Sequence, residues 1–336
     1  MLGGMRNLML FSLLLCFAVA PPVDSAGTRA TTAPEIRFIR VFLPAPADSH
    51  PVYRQTVDAA ESVAERHTDL EARVAVLEDP GAERIVDAAG DGRTALVVAA
   101  GNPLSESLTQ AAEAHPERPF LMVDGTPERL ENVSTLVLNR REQSFLAGYI
   151  AGLQLEGGTA GLLIESGVWA GERVAVSGFR LGLKAASAEN ELLRRRIPLS
   201  TSVGVVAARL GSFRREGIST VLPVLYTNRS TFLEAAQETE VEILWLDEAV
   251  PSAGRSRVLV SIAADVGDAA EELLSDLLEA GTSATRRKTV GFSTGAFSLN
   301  TDFDRFNRHF GAARKDRILE MERRLRSGDL VLELQG

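Results

Sequence analysis

Residues 94–124 read TALVVAAGNPLSESLTQAAEAHPERPFLMVD, and this stretch decides how the chain folds. Thr94–Ala100 is a short apolar run stopped by Gly101-Asn102-Pro103, which predicts a strand. Leu104–His115 predicts a helix, and Phe120–Val123 a second apolar strand that ends at Asp124. Short apolar strands alternating with helices argue for a parallel sheet covered on both faces.

The same alternation extends in both directions. Upstream, Ile36–Leu43 and Ala72–Leu77 predict strands, with helices over Pro51–His67 and near Ala82–Ala89. Downstream, Thr135–Leu138 predicts a strand, and then the pattern restarts. Arg141–Glu156 sets Phe145, Leu146, Tyr149, Ile150 and Leu153 along one helical face. Strands are predicted at Gly161–Ile164, Ser202–Ala207, Thr220–Leu225, Glu242–Leu246 and Val258–Ile262, with helices at Ala175–Ala188, Ser230–Glu238 and Asp265–Ala280. Short strands at Val290–Phe292 and Leu330–Leu334 flank a charged helix, Ala312–Ser327. The reading is an α/β protein of two Rossmann-like lobes with parallel sheets. In such sheets ligands bind beyond the carboxyl ends of strands. Asp48, Asp124 and Asp247 all follow strands and so are candidates for a cleft rim. Each is also an ordinary turn residue.

A chain of 336 residues suits two domains. Its 45% hydrophobic and 24% charged residues are those of a folded globular protein. The net charge of −9 gives no support for nucleic-acid binding. Arg6 followed by the apolar run Leu8–Ala20 reads as an export signal, residues 1–20, and residues 21–35 read as a flexible tether. No later segment reaches about 18 apolar residues without a charge, so no membrane span is expected. The single cysteine, Cys16, lies inside the apolar run. It suggests lipid attachment, although Leu13-Leu14-Leu15 fits a lipobox poorly; soluble secretion after a nearby cleavage is the alternative. The lobes are expected at 36–138 and 139–246, with roughly 247–280 returning to the first and part of 281–336 to the second.

Several motifs offer chemistry. Gly291-Phe292-Ser293-Thr294-Gly295 matches the nucleophile elbow of serine hydrolases, which must join a strand to a helix. The residues after it predict no clear helix, and His309 is the only later histidine. His50, His67, His115 and His309 are dispersed, and no metal or cofactor motif is present. Asn132-Val133-Ser134 and Asn228-Arg229-Ser230 match the glycosylation acceptor. Arg194-Arg195-Arg196 reads as a solvated helix end.

A longer pattern carries a resemblance. Asp124, then Asn132-Val133-Ser134, then Glu142-Gln143-Ser144-Phe145-Leu146-Ala147-Gly148-Tyr149-Ile150-Ala151-Gly152 is similar to a stretch of the basic membrane protein family. Ser177-Gly178-Phe179 to Gly182, Gly211-Ser212-Phe213 and Val258–Gly281 resemble further pieces in the same order. The resemblance covers roughly 36–334. It implies a periplasmic-binding-protein-like (type I) fold and a receptor that passes purine nucleosides or related solutes to an ABC transporter permease, with no cofactor. It places Tyr53 and Phe213 as rings stacking on a base, and Asp48, Asp124 and Asp247 as polar ligand contacts. The departures are Arg54 where the family has Asn, the missing Lys after Ser261, and the altered setting of Asp247 in Leu-Trp-Leu-Asp-Glu. They leave open a different ligand, or a sensor or scaffold without a transport role. A hydrolase using Ser293 is the minor alternative.

Overall fold

The computed structural model describes residues 35–46, 50–79, 81–166, 171–225, 227–248, 250 and 252–332, which all belong to one unit beginning at Glu35. The expected signal, the tether up to Pro34, Cys16 and Asp48 lie outside the described residues.

The first lobe runs β1 (Arg37–Pro44), α1 (Pro51–Glu65), β2 (Leu70–Leu77), α2 (Glu83–Gly90), β3 (Thr94–Ala100), α3 (Ser105–Ala114), β4 (Phe120–Val123) and β5 (Val133–Leu138). The second runs α4 (Arg140–Leu155), β6 (Thr159–Glu165), α5 (Gly171–Ala186), β7 (Glu191–Ile197), α6 (Val203–Arg215), β8 (Thr220–Val224), α7 (Arg229–Glu238), β9 (Glu242–Asp247) and β10 (Val258–Ala264). The chain then crosses back for α8 (Gly267–Ala280) and β11 (Arg287–Val290). It crosses once more for β12 (Phe297–Asn300), α9 (Asp304–His309) and α10 (Ala312–Ser327).

The strands form two six-stranded sheets with matching orders, β11-β5-β4-β3-β1-β2 and β12-β10-β9-β8-β6-β7. All pairings between neighbours are parallel except β10 with β12. The all-apolar strands TALVVAA and FLMV are buried because helices cover both faces of their sheet. Position by position, β4 in the first sheet corresponds to β9 in the second, so Asp124 and Asp247 end equivalent strands.

Three crossings join the lobes, at 139, 265–266 and 291–296. The middle one falls later than the expected return at 247. Val258–Ala264 pairs in parallel with β9, as in Ile262 against Leu246, and so belongs to the second sheet. The helix after it, α8, docks on α1 of the first lobe, where Arg66 bonds Glu271 at 2.8 Å.

The expected strand at Ser202–Ala207 is instead the start of α6. Val206, Leu210 and Phe213 recur at helical spacing and are its buried residues. The missing strand is β7, ELLRRRI, whose half-exposed edge position explains the three arginines that suggested a helix end. The stretch that predicted no clear helix holds β12 and the short helix α9, and Leu330–Leu332 forms no strand.

The stretch that carries the family resemblance is a helix-packing motif. A Cβ on Gly148 of α4 would run into the backbone oxygen of Phe179, and one on Gly182 of α5 into that of Phe145. Gly at these positions lets α4 and α5 touch backbone to backbone.

Candidate inter-lobe site

Pro51 starts α1 at its first helical position, which leaves His50 as the N-cap at the lobe boundary. Asp124 and Asp247 both adopt left-handed backbone, with φ of 53° and 76°. Non-glycine residues held this way cost roughly 1–3 kcal/mol each and cluster at functional sites. Both side chains are buried, at 8% and 5% exposure.

One arginine joins them. Arg140, the first residue of α4, is 5% exposed. Its Nε and Nη2 donate to the two oxygens of Asp124 at 3.2 and 2.6 Å, while Nη1 donates to Asp247 Oδ1 at 2.7 Å. A single guanidinium thus bridges the carboxylates of both lobes. Asp247 also accepts from Gln143 Nε2 at 3.1 Å, lies 3.5 Å from His50 Nε2, and lies 3.8 Å from Arg229 Nη1. Burial alone would raise the Asp247 carboxyl, but Arg140, His50 and Arg229 outweigh it and hold it well below the usual carboxylate range.

Arg229 is itself fixed. It donates to Glu248 at 2.8 Å and to the Leu246 carbonyl at 2.6 Å, and it sits 4.4 Å over the Trp245 ring. Glu165, at the end of β6, accepts from the Thr227 hydroxyl and from the Thr227 amide at 2.9 Å, which steadies the entry to α7. The cavity among His50, Arg140, Gln143, Ser144, Arg229 and Asp247 measures about 10 Å³, room for roughly one water. Gln143 Oε1 and Ser144 Oγ are buried beside it without a hydrogen-bond partner.

Of the residues singled out from sequence, Asp124 and Asp247 come together through Arg140. Tyr53 joins them from the first turn of α1. It is buried with its hydroxyl against Gly101, and its ring lies 5.1 Å from that of His50. Burial, and then the charge of Asp124, push its phenol above the ordinary value. Phe213 stands apart from them. It is fully buried in the second lobe, where a Cβ on Gly161 of β6 would lie 3.1 Å from its ring. Its helix presents that ring to the sheet, so it cannot stack on a base in the cleft. No pair of rings faces another across the site among the described residues.

Sequence reasoning passed over Arg140, Arg229 and His50. A signal was present: both α4 and α7 open with Asn-Arg, placing a cation at a helix N-terminus, where the dipole disfavours it. Each arginine needs a carboxylate to be stable there, and Asp247 serves both. The other motifs have structural explanations. Asn132 and Asn228 are buried, and Asn132 Nδ2 donates to the carbonyls of Ala112, His115 and Arg118. Ser293 is exposed in a turn joining two strands, not a strand and a helix, and His309 lies 2.6 Å from Glu242. The Phe292 amide of that turn donates to Glu142 at 3.1 Å. No described helix is long and apolar enough to cross a membrane.

Two α/β lobes of matching strand order, crossed three times and meeting at their strand ends, define a two-lobed solute-binding protein. The family described as ABC transporter substrate-binding protein, PnrA-like (Bmp), matches residues 36–315, and the chain belongs to it. No curated protein matches the chain significantly. A solute-binding protein of an ABC transporter system from Aeropyrum pernix K1 superposes with a TM-score of 0.73 at 14% identity, over 89% of this chain and 93% of that one. A transcriptional activator of the comK gene from Bacillus halodurans gives 0.67 at 16%, over 86% and 98%. An ABC transporter solute-binding protein from Burkholderia graminis C4D1M, in complex with D-arabinose, gives 0.62 at 10%, over 81% and 96%. These likenesses are of fold. The chain is an ABC transporter solute-binding protein of the PnrA-like kind.

Proposed function

We propose that this protein works outside the cytoplasm as the receptor of an ABC importer, and that Arg140 can take the place of a solute in holding its lobes closed. The observation that carries the proposal is the bridge from Asp124 through Arg140 to Asp247. In a two-lobed receptor, a ligand shifts the open–closed balance only by its differential contacts with the two states. Here a side chain already makes contacts of that kind. An incoming solute must compete with a guanidinium for two carboxylates, so it is small and rich in hydrogen-bond donors. Gln143 Oε1 and Ser144 Oγ are the protein groups that such a solute would satisfy.

Purine nucleosides are the first class to test, because the resemblance implies them and Asp124 and Asp247 would offer carboxylates to their donors. The burial of Phe213 removes one of the two stacking rings that this class would use. A second reading, an envelope sensor or scaffold that has given up transport, draws on the cavity of about 10 Å³. Calorimetric titration of the exported chain with nucleosides, free bases, polyols and amines separates the readings. Micromolar binding of one class that tightens in Arg140→Ala supports a receptor gated by Arg140. Flat titrations of both proteins, with both still folded, support the scaffold.

A further inference from the structure

Each sheet ends in two edge strands, β11 and β2 in the first and β12 and β7 in the second. Exposed edges template pairing with other chains, and proteins blunt them by shortness or charge. Three of these four are blunted. β11 and β12 have four residues each, and β7 carries Arg194, Arg195 and Arg196. The fourth, β2, is eight residues long, and its second half is Val-Ala-Val-Leu. β2 and β7 hold equivalent places in the two sheets, so the long edge with exposed valines is specific to the first lobe.

The outward groups of β2 are set by its pairing. Arg37 N–H donates to the Asp69 carbonyl and Ala45 N–H to that of Leu77, so odd-numbered residues turn their backbone toward β1. Leu70, Ala72, Val74 and Val76 therefore turn theirs outward, and no backbone group among the described residues meets them. Val74 and Val76 are also 43% and 44% exposed. On the other face, Glu71 and Arg73 line a groove of about 460 Å³ shared with Arg40 and Arg84.

We propose that β2 pairs antiparallel with β2 of a second copy, around a twofold axis at Ala72. Hydrogen-bonded pairs must join outward residues, which here are Ala72 with its own mate and Leu70 with Val74. Within each chain Arg73 donates to Glu71 at 3.0 and 3.3 Å, and across the axis Glu71 falls opposite Arg73 of the second copy, twice over, so the four charges alternate in sign beside a groove that holds three arginines and one glutamate. An axis at Arg73 sets arginine against arginine, and one at Val74 leaves Glu71 facing Leu77. The charges select the first register, and the edge is complementary to itself.

Sedimentation equilibrium on the full exported chain tests this. The wild type forms a reversible dimer in the micromolar range, while Val74→Lys, Glu71→Arg and Arg73→Glu are each monomeric with unchanged circular dichroism. Mixing the Glu71→Arg and Arg73→Glu proteins restores a dimer, because each copy supplies the charge the other lacks. A merely structural role for either residue would not produce that rescue. A wild type that stays monomeric at high micromolar concentration overturns the proposal, as does a dimer indifferent to the charge exchange.

Discussion

Arg140 sits at an intrinsically poor position for a cation, and only the paired carboxylates make it stable there. Removing one member of a buried ion pair strands the others, at about 3–5 kcal/mol. Arg140→Ala is expected to lose stability of that order in urea unfolding monitored by fluorescence. Asp247 gives acid sensitivity of a definite sign. Its folded pKa is depressed, so its contribution is complete above the unfolded carboxylate value and is lost as pH falls through the folded one. Glu142 behaves oppositely. Burial raises its carboxyl, partly offset by the Phe292 amide and Asn139. The protonated form favours the fold, and stability falls as pH rises through the raised folded pKa. Glu142→Gln keeps an acceptor for Phe292 and should therefore raise the melting temperature at neutral pH. The gain should vanish below the ordinary glutamate range. At this scale the sequence was only partly legible. Asp124 and Asp247 could be found because they end apolar strands. Arg140 was marked only by its place at a helix N-terminus, and its partners, 16 and 107 residues away, could not be read.

Elements were more legible than residues wherever burial was two-sided. TALVVAA and FLMV have one reading, since no face of such a strand meets water. β7 failed because an edge strand tolerates polar residues, and α6 failed because its valines mimic a strand while Val206, Leu210 and Phe213 keep helical spacing. Phe213 was assigned to the site by the resemblance alone, and its place on the buried face of α6 removes it. The glycines of α4 and α5 were legible as a pattern but not as a cause. Gly148→Ala would press a methyl into backbone, which cannot move aside as a side chain can. Overpacking of about 1–3 kcal/mol is expected from chemical unfolding, with the upper end favoured. The middle crossing depends on Gln55, which donates to the Ala264 carbonyl at 3.0 Å and accepts from the Val266 amide at 2.7 Å. Gln55→Ala should speed hydrogen exchange at Val266 while leaving β3 and β8 protected. Equal slowing or speeding everywhere would deny the crossing a local role.

At the scale of the molecule, two lobes of like topology meet at the ends of equivalent strands, and one guanidinium links them. The alternation of strands and helices made the two-lobed fold readable before any coordinates. The crossings were less readable, since one at 265–266 leaves no break in composition. The family's architecture fixes what the protein is, while the filled cleft bears on what it takes up. Small-angle scattering of the protein, alone and with adenosine, guanosine or inosine, tests the bridge most directly. The account predicts a closed particle whose radius of gyration does not change with nucleoside, and a larger one for Arg140→Ala. A wild type that is open alone and contracts on nucleoside would contradict it.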